Sequence, residues 1–302
     1  MDRLEAMGIL VAVAETGSLS AAGRRLGIPL SSVSRKIADL ESRLNTRLLT
    51  RASRQAGLTD AGRAYVAACK RILEEVGEAE RAAAGEYKSP RGELVVTAPL
   101  VFGRLHMLPV VIDFLAAFPE IDVRLFLADR RLQLAEDHVD LALRIGPLAD
   151  SALIAQKVGM MRRVVVASPD YILRRGAPDS PADLSAHDCI DAAGARPTSD
   201  WAFDARIPVR SRLDVNTAEA AVDAAIAGIG LARVLHYQVV HALRAGKLIL
   251  VLEDFEPKPW PVSLVHAGQG ALPLKLRAFL DYAGPALRKR LAELQPSQNM
   301  EG

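Results

Sequence analysis

Residues 18–41 read SLSAAGRRLGIPLSSVSRKIADLE, and the fold turns on how this stretch is parsed. Leu19, Ala22 and Leu26 recur at spacings of three and four, the repeat of one helix face. Ser18 or Ser20 is placed to accept a hydrogen bond from the free N–H groups at that helix's start. Gly27 follows, a residue that tolerates the left-handed backbone at a helix end. Val33, Ile37, Leu40 and Leu44 mark a second apolar stripe, and Ser31, Ser32, Ser34, Arg35 and Lys36 fall on its other side. A helix that buries one side and offers hydroxyls and cations on the other suits a major groove. There Ser meets donors or acceptors on base edges, and Arg grips guanine or phosphate. Parsed so, the stretch is a helix-turn-helix whose second helix reads DNA. An ordinary helical hairpin with a solvated basic face has the same periodicity, so the surrounding sequence has to decide.

The charge distribution favours the DNA reading. The 302-residue chain nets only +2, but residues 1–58 hold nine Lys/Arg against five acids, +4, leaving −2 for the remainder. The cationic surplus thus sits with the helix pair. Half the residues are hydrophobic and a quarter charged, an ordinary globular balance, and the length suits two or three domains. Cys69 and Cys189 fall in different expected domains, which argues against a disulfide scaffold and for a reducing cytoplasm. Asp2 and Glu5 interrupt any signal-peptide pattern, and no apolar run approaches the roughly 18 residues of a membrane span.

Working outward, residues 3–15 form a helix backed by Leu4, Met7, Leu10, Val11 and Ala14 and stopped at Gly17. Residues 45–62 (NTRLLTRASRQAGLTDAG) read as a two-stranded wing with Arg51 and Arg54 at its tip, within reach of phosphates or a narrow minor groove. Thr59 caps a long helix whose stripe runs Ala61, Tyr65, Ala68, Ile72, Val76, Ala79 and Ala83. With no nearby element in sequence to cover that stripe, it is expected to pair with a second copy. YKSPRG (87–92) is the hinge.

From Glu93 on, strands alternate with helices: strands at 93–99, 121–128, 139–146, 162–169, 208–215, 230–234, 247–252 and 261–267, helices at 102–117, 217–227 and 274–282. A short helix is expected up to about Glu136, and Pro109 is a possible kink. The alternation predicts a mostly parallel sheet with helices on both faces, divided into two lobes with a ligand cleft. Ligands in such sheets lie beyond the strands' carboxyl ends. That places Thr97, Pro99, Leu100, Phe102, Arg144, Gly146, Thr198, Asn216 and Thr217 at the floor. Asn216 and Glu219 form a capping-box pattern, and helix starts attract anions. Arg144, at a strand's end, is the cation expected to hold an anionic ligand.

Other chemistry finds little support. The six histidines lack metal spacing, no nucleophile–base set stands out, and GIG at 228–230 follows a helix, the reverse of a dinucleotide loop. Trp201 and Trp260 read as packing residues. The alternative to a DNA-binding protein is a solute-binding protein or small α/β enzyme with a helical N-terminal appendage.

The order of these parts resembles the LysR-type transcriptional regulators. SLSAAGRRLG, VSRKIADLE and the LLTR…LTDAG wing carry the resemblance at the front. FPEIDVRLFL, VDLALRIG, VVVASPDYI, DLSAHDCI, AGIGLARV and GKLILVL carry it behind. The resemblance implies an N-terminal winged helix-turn-helix (1–58), a linker helix that dimerises (59–88) and a two-lobed, periplasmic-binding-protein-like effector domain (89–302) with doubly wound mixed sheets. Lobe I would take about 89–161 and 267–302, and lobe II about 162–266. It implies a non-enzymatic, cytoplasmic protein without a cofactor. Its partners would be an operator with an imperfect inverted repeat, a small organic acid or aromatic effector, tetramer-forming copies of itself and RNA polymerase. Ser18, Ser31, Ser32, Ser34, Arg35, Lys36, Arg51 and Arg54 would face DNA. Pro99, Phe102, Arg144, Thr198 and Asn216 would line the cleft. The chain departs at Pro29-Leu30, where many members carry Ser-Gln or Thr-Gln, so its operator preference should differ. Asn45 stands where Gly is frequent, and Gly23 weakens its helix by roughly 1 kcal/mol relative to Ala.

Overall fold

The computed structural model describes residues 2–50, 57–83, 89–129, 134, 137–148, 153–192, 200–268 and 272–294. The chain divides into two units, 1–88 and 89–302.

In the first unit, α1 (Arg3–Thr16) begins where the Asp2 carboxylate accepts from the Leu4 and Glu5 N–H groups, and it ends at Gly17, φ 67°. Ser18 caps α2 (Leu19–Leu26), accepting from Ala21 N at 3.4 Å, and Gly27 (φ 68°) closes it. α3 (Leu30–Leu44) follows Pro29 and stops at Asn45, whose φ of 48° is the left-handed role expected of it. Ile9, Leu10, Val13, Ala22, Val33, Ile37 and Leu40 make one core. Leu26 and Leu44, expected in the stripes, lie at helix ends and stay 41% and 37% exposed. Gly23 is more than a weak helix former: a Cβ there would lie 2.9 Å from the Ile28 carbonyl oxygen, so its bareness lets the turn fold back.

The wing strands β1 (Leu49–Thr50) and β2 (Gly57–Leu58) pair antiparallel, Leu49 against Leu58. Thr59 Oγ1 accepts from Gly62 N at 2.9 Å, capping α4 (Asp60–Ala83), and donates to the Arg47 carbonyl at 2.8 Å. At 24 residues α4 is about 36 Å long. Its first half is not uncovered, as the sequence suggested. Val66 and Cys69 are buried in the same core as α1, with Tyr65 beside them. Ile72 and Ala79, further along, are exposed.

The second unit has two mixed five-stranded sheets rather than a mostly parallel one. Its first-lobe elements are β3 (Gly92–Ala98), α5 (Leu100–Phe102), a π-turn (Gly103–Met107), α6 (Leu108–Ala117), β4 (Ile121–Leu127), β5 (Leu141–Ile145) and β6 (Leu153–Met161). The second lobe contains β7 (Arg163–Ala167), α7 (Pro169–Arg175), β8 (Cys189–Asp191), a hairpin of β9 (Asp200–Ala202) and β10 (Arg206–Pro208), β11 (Ser211–Asp214), α8 (Ala218–Ile226), β12 (Leu231–Leu235), α9 (His236–Arg244) and β13 (Ile249–Val251). β14 (Trp260–Ala267) and α10 (Leu274–Ala292) return to the first lobe, and sheet orders are β4-β3-β5-β14-β6 and β11-β8-β12-β7-β13. β14 pairs antiparallel with β5 and β6, so the return crossing precedes residue 260, not 267 as expected. The expected helix near Glu136 lies largely outside the described residues.

Pro109 does not break its helix. The five-residue π-turn just before it absorbs the missing N–H, and the helix runs on. Residues Leu100–Ala117, mean hydropathy 1.7, are long and apolar enough to cross a membrane, against the expectation that no run approached that length. Here Val101, Phe102, Met107, Val110, Val111 and Phe114 are buried in the first-lobe core with Phe279 and Leu287 of α10.

Candidate functional site

On α3 the stripe of Val33, Ile37 and Leu40 is buried, which turns Ser31, Ser34 and Arg35 to solvent, with Ser32 at the edge. No carboxylate among the described residues pairs with Arg35. Lys36 departs from the expectation. It folds back onto Glu5 of α1, its side chain only 20% exposed. The Ser18 hydroxyl is engaged in capping and lies 3.0 Å from Ser20 Oγ. Arg51 and Arg54 lie outside the described residues. Leu30, where the chain departs from the residues many members carry, is 50% exposed at the start of α3.

The wing is held to α3 by Glu41, in the sequence only one of the acids of residues 1–58. Its buried carboxylate accepts from Leu48 N at 2.8 Å and Leu49 N at 3.0 Å, and from Arg47 Nη1 at 3.0 Å. Burial works against the charge. The N–H groups of Leu49 and Leu48 and the Arg47 guanidinium outweigh it and hold the carboxyl below its ordinary range. A second brace is Glu15, which bridges Lys70 of α4 at 2.8 Å and Arg25 of α2 at 2.7 Å. These two cations hold its carboxyl low, Lys70 most strongly.

In the second unit, a pocket at the carboxyl ends of β3, β4 and β5 is lined by Thr97, Ala98, Pro99, Ala128, Asp129, Leu143, Arg144 and Ile145. Three of the expected residues therefore meet there. The others divide. The Leu100 N–H donates to Asp129 Oδ1 at 3.0 Å, so a carboxylate of the chain itself already occupies that helix start. The Thr97 hydroxyl is spent on the Phe126 carbonyl at 3.0 Å. Phe102 is fully buried, 4.9 Å from His106 and 5.3 Å from Tyr237 of α9, and is interlobe packing instead of pocket wall. Gly146 (φ 108°) makes room for Trp260, whose ring would lie 3.2 Å from a Cβ. Thr217, not Asn216, caps α8, accepting from Ala220 N at 3.2 Å. Glu219 is not a capping partner, since it pairs with Arg104 across the lobes at 3.0 Å. Thr198 lies outside the described residues.

The lobes meet through that ion pair and the Phe102–His106–Tyr237 cluster. Burial, then the nearby Arg290 charge, pushes His106 down to about 4. At the crossings, Arg162 forks onto Glu256, Nε to Oε2 at 2.7 Å and Nη2 to Oε1 at 2.6 Å, tying the two connecting segments together.

Comparison with known proteins agrees with this division. Residues 4–63 match the bacterial regulatory helix-turn-helix protein, lysR family, and residues 88–288 match the LysR substrate binding domain. An HTH-type transcriptional regulator of Xanthomonas campestris pv. campestris (strain 8004) is 36% identical over 283 residues, 91% of this chain and 82% of that protein. The HTH-type transcriptional activator AaeR of Escherichia coli (strain K12) is 30% identical, covering 93% of each. The structure of CrgA, a LysR-type transcriptional regulator from Neisseria meningitidis, superposes with a TM-score of 0.60 at 30% identity, covering 94% of this chain and 98% of that one. The helix-turn-helix unit and the two-lobed unit that follows it in sequence thus have one explanation: the chain belongs to the LysR-type transcriptional regulators, with a helix-turn-helix DNA-binding domain and an effector-binding domain.

Proposed function

We propose that this regulator binds an imperfect inverted repeat as a homodimer joined through α4, with each α3 in a major groove, and that dimers assemble to tetramers. The observation that carries the reading is the outward face of Ser31, Ser34 and Arg35 on a helix that Glu41 ties to the wing, in a unit where Glu15 ties α1 to α2 and α4. Hydroxyls and an exposed guanidinium on a preorganised helix suit base edges and phosphates. The exposed Leu30 fits a thymine methyl, in place of the amide contact that this position cannot make. The exposed distal residues of α4, such as Ile72, are the surface a second copy would cover. On this reading the protein acts in the cytoplasm, by binding rather than catalysis, and contacts RNA polymerase when it regulates.

The effector would sit between the lobes, with the Thr97–Pro99–Arg144 pocket as its first-lobe wall. A ligand that favours one setting of the Arg104–Glu219 and Phe102–Tyr237 contacts shifts the lobes, and with them the spacing of the reading helices. The test is fluorescence anisotropy of the full chain with labelled DNA from upstream of its own coding region, against unrelated DNA, across a salt series. Preferential binding that weakens linearly in log salt supports the reading. Equal binding to both DNAs refutes it.

A further inference from the structure

The second-lobe sheet carries two arginines that form no ion pair among the described residues. Arg163 opens β7 opposite Leu235, and Arg233 lies two residues earlier on β12, opposite Val165. Residues two apart on a strand share a face, so both guanidiniums stand on one side of the sheet. They converge there on a single acceptor. Arg233 Nη1 donates to the Ala202 carbonyl at 2.9 Å, and Arg163 Nη2 to the same oxygen at 3.3 Å. Aromatic rings surround them: Arg163 lies 4.1 Å over Trp260, and Arg233 lies 5.4 Å from Trp201 and 6.0 Å from Phe203.

No carboxylate among the described residues is within ion-pair distance of either guanidinium. Glu253 and Glu256 are engaged by Arg162, and Asp191 on the adjacent strand acts on Arg233 only through space. Arg163 Nε is buried without a hydrogen-bond partner. Burial, and then the charge of Arg163, pushes Arg233 down to about 10, and burial lowers Arg163 as well. Two cations half withdrawn from water and held side by side destabilise a free protein. Ring faces offset only part of that cost. An anion between them would offset the rest.

The position is as informative as the charge. Arg163 directly follows the crossing residue Arg162, and Trp260 opens the strand that ends the second crossing and lies across Gly146 at the end of β5. The pair therefore stands where the lobes join. The first-lobe helix start expected to hold an anion is already occupied by Asp129. Planar forked guanidiniums match a planar carboxylate better than a spherical ion, and the flanking rings offer flat apolar walls.

We propose that Arg163 and Arg233 grip the carboxylate of the effector, with the partly exposed rings of Trp260 and Phe203 walling its apolar body and the buried Trp201 backing Arg233. This rests on the reading of the chain as an effector-responsive regulator, and moves the charge-reading part of the site from Arg144 to the second lobe.

Trp201 and Trp260 are the chain's only two tryptophans, so intrinsic fluorescence reports on the site directly. The full chain is titrated at constant ionic strength with sodium benzoate, the neutral isostere benzamide, and inorganic phosphate. The expected result is a saturable response to benzoate alone. Arg233→Met and Arg163→Gln each weaken it roughly 30-fold or more. Neither lowers the melting temperature of the ligand-free protein, because the remaining arginine still serves the Ala202 carbonyl. A structural clamp would behave the other way, with a lower melting temperature and no change in benzoate response. No response to benzoate, a response unchanged in both variants, or a response to phosphate alone overturns the site. Operator binding measured on the same samples separates the two ideas. Wild-type protein that binds its operator but fails the benzoate test loses only this site, whereas protein that ignores the operator loses the regulatory reading.

Discussion

Replacing Glu41 with Ala tests how the reading helix and wing are held as one body. The carboxylate is 9% exposed and takes two backbone N–H groups, Leu48 at 2.8 Å and Leu49 at 3.0 Å, besides Arg47. Each donor left without a partner in a buried setting costs about 1–3 kcal/mol. The pair with the exposed Arg47 adds at most about 1 kcal/mol. The loss is then about 2–7 kcal/mol, which for a unit of this size lowers its melting temperature by at least about 8 °C. Both tryptophans lie in the other unit, so the assay has an internal control. Glu41→Ala should lower the first helix-melting transition seen by far-ultraviolet circular dichroism and leave the tryptophan transition in place. The pH dependence has a definite sign. The folded carboxyl is held below its ordinary value of 4.5, so its contribution is full above that pH and is lost as pH falls through the lower folded value. Glu41→Gln should flatten that acid limb. Wild-type melting of Glu41→Ala at neutral pH, or a loss of stability confined to alkaline pH, would refute the reasoning.

Three further outcomes are expected. Arg35→Ala should weaken operator binding and reduce the log–log salt slope by about 1, as loss of one phosphate contact requires, and an unchanged slope would place Arg35 away from phosphate. Gly62→Ala would drive a Cβ into the Leu48 carbonyl oxygen, so wing and α4 must part; the variant should lose operator binding while tryptophan fluorescence stays native. His106, held down to about 4, stays neutral in the folded protein while its unfolded form protonates near 6.5. The second unit should therefore lose stability as pH falls from 6.5 toward 4, and His106→Gln should remove that slope in a tryptophan-detected urea titration.

The parts of this fold legible in the sequence are those fixed by local rules. The stripe of α3, the Ser18 cap, the glycine stops and the Thr59 cap each depend on residues within a turn or two of one another. What the sequence concealed is long-range. Glu41 looks like one more charge after Leu40, because its donors come from a strand seven and eight residues on. Lys36 looks like a DNA contact because Glu5 is distant in sequence. PVSLVHA was legible as a strand, but only pairing with β5 and β6 decides which lobe it joins. β6 was missed because LIAQKVGMM lacks clean alternation, its outer residues being exposed at a sheet edge. Phe102, near the expected cleft by position, turns inward because Tyr237 meets it from the other lobe. Arg163 and Arg233 were unremarked because they are 70 residues apart and meet only across β7 and β12.

The central claim is that Ser31, Ser34 and Arg35 of two copies read one stretch of duplex together. A hydroxyl-radical and guanine-methylation footprint of the full chain on its upstream DNA tests this most directly. The account predicts two major-groove protections centred about one helical turn, roughly 34 Å, or a whole multiple apart, both lost together in an Arg35→Ala, Ser34→Ala variant that still melts like the wild type. A single unpaired protection, or a footprint that survives those substitutions, would contradict it.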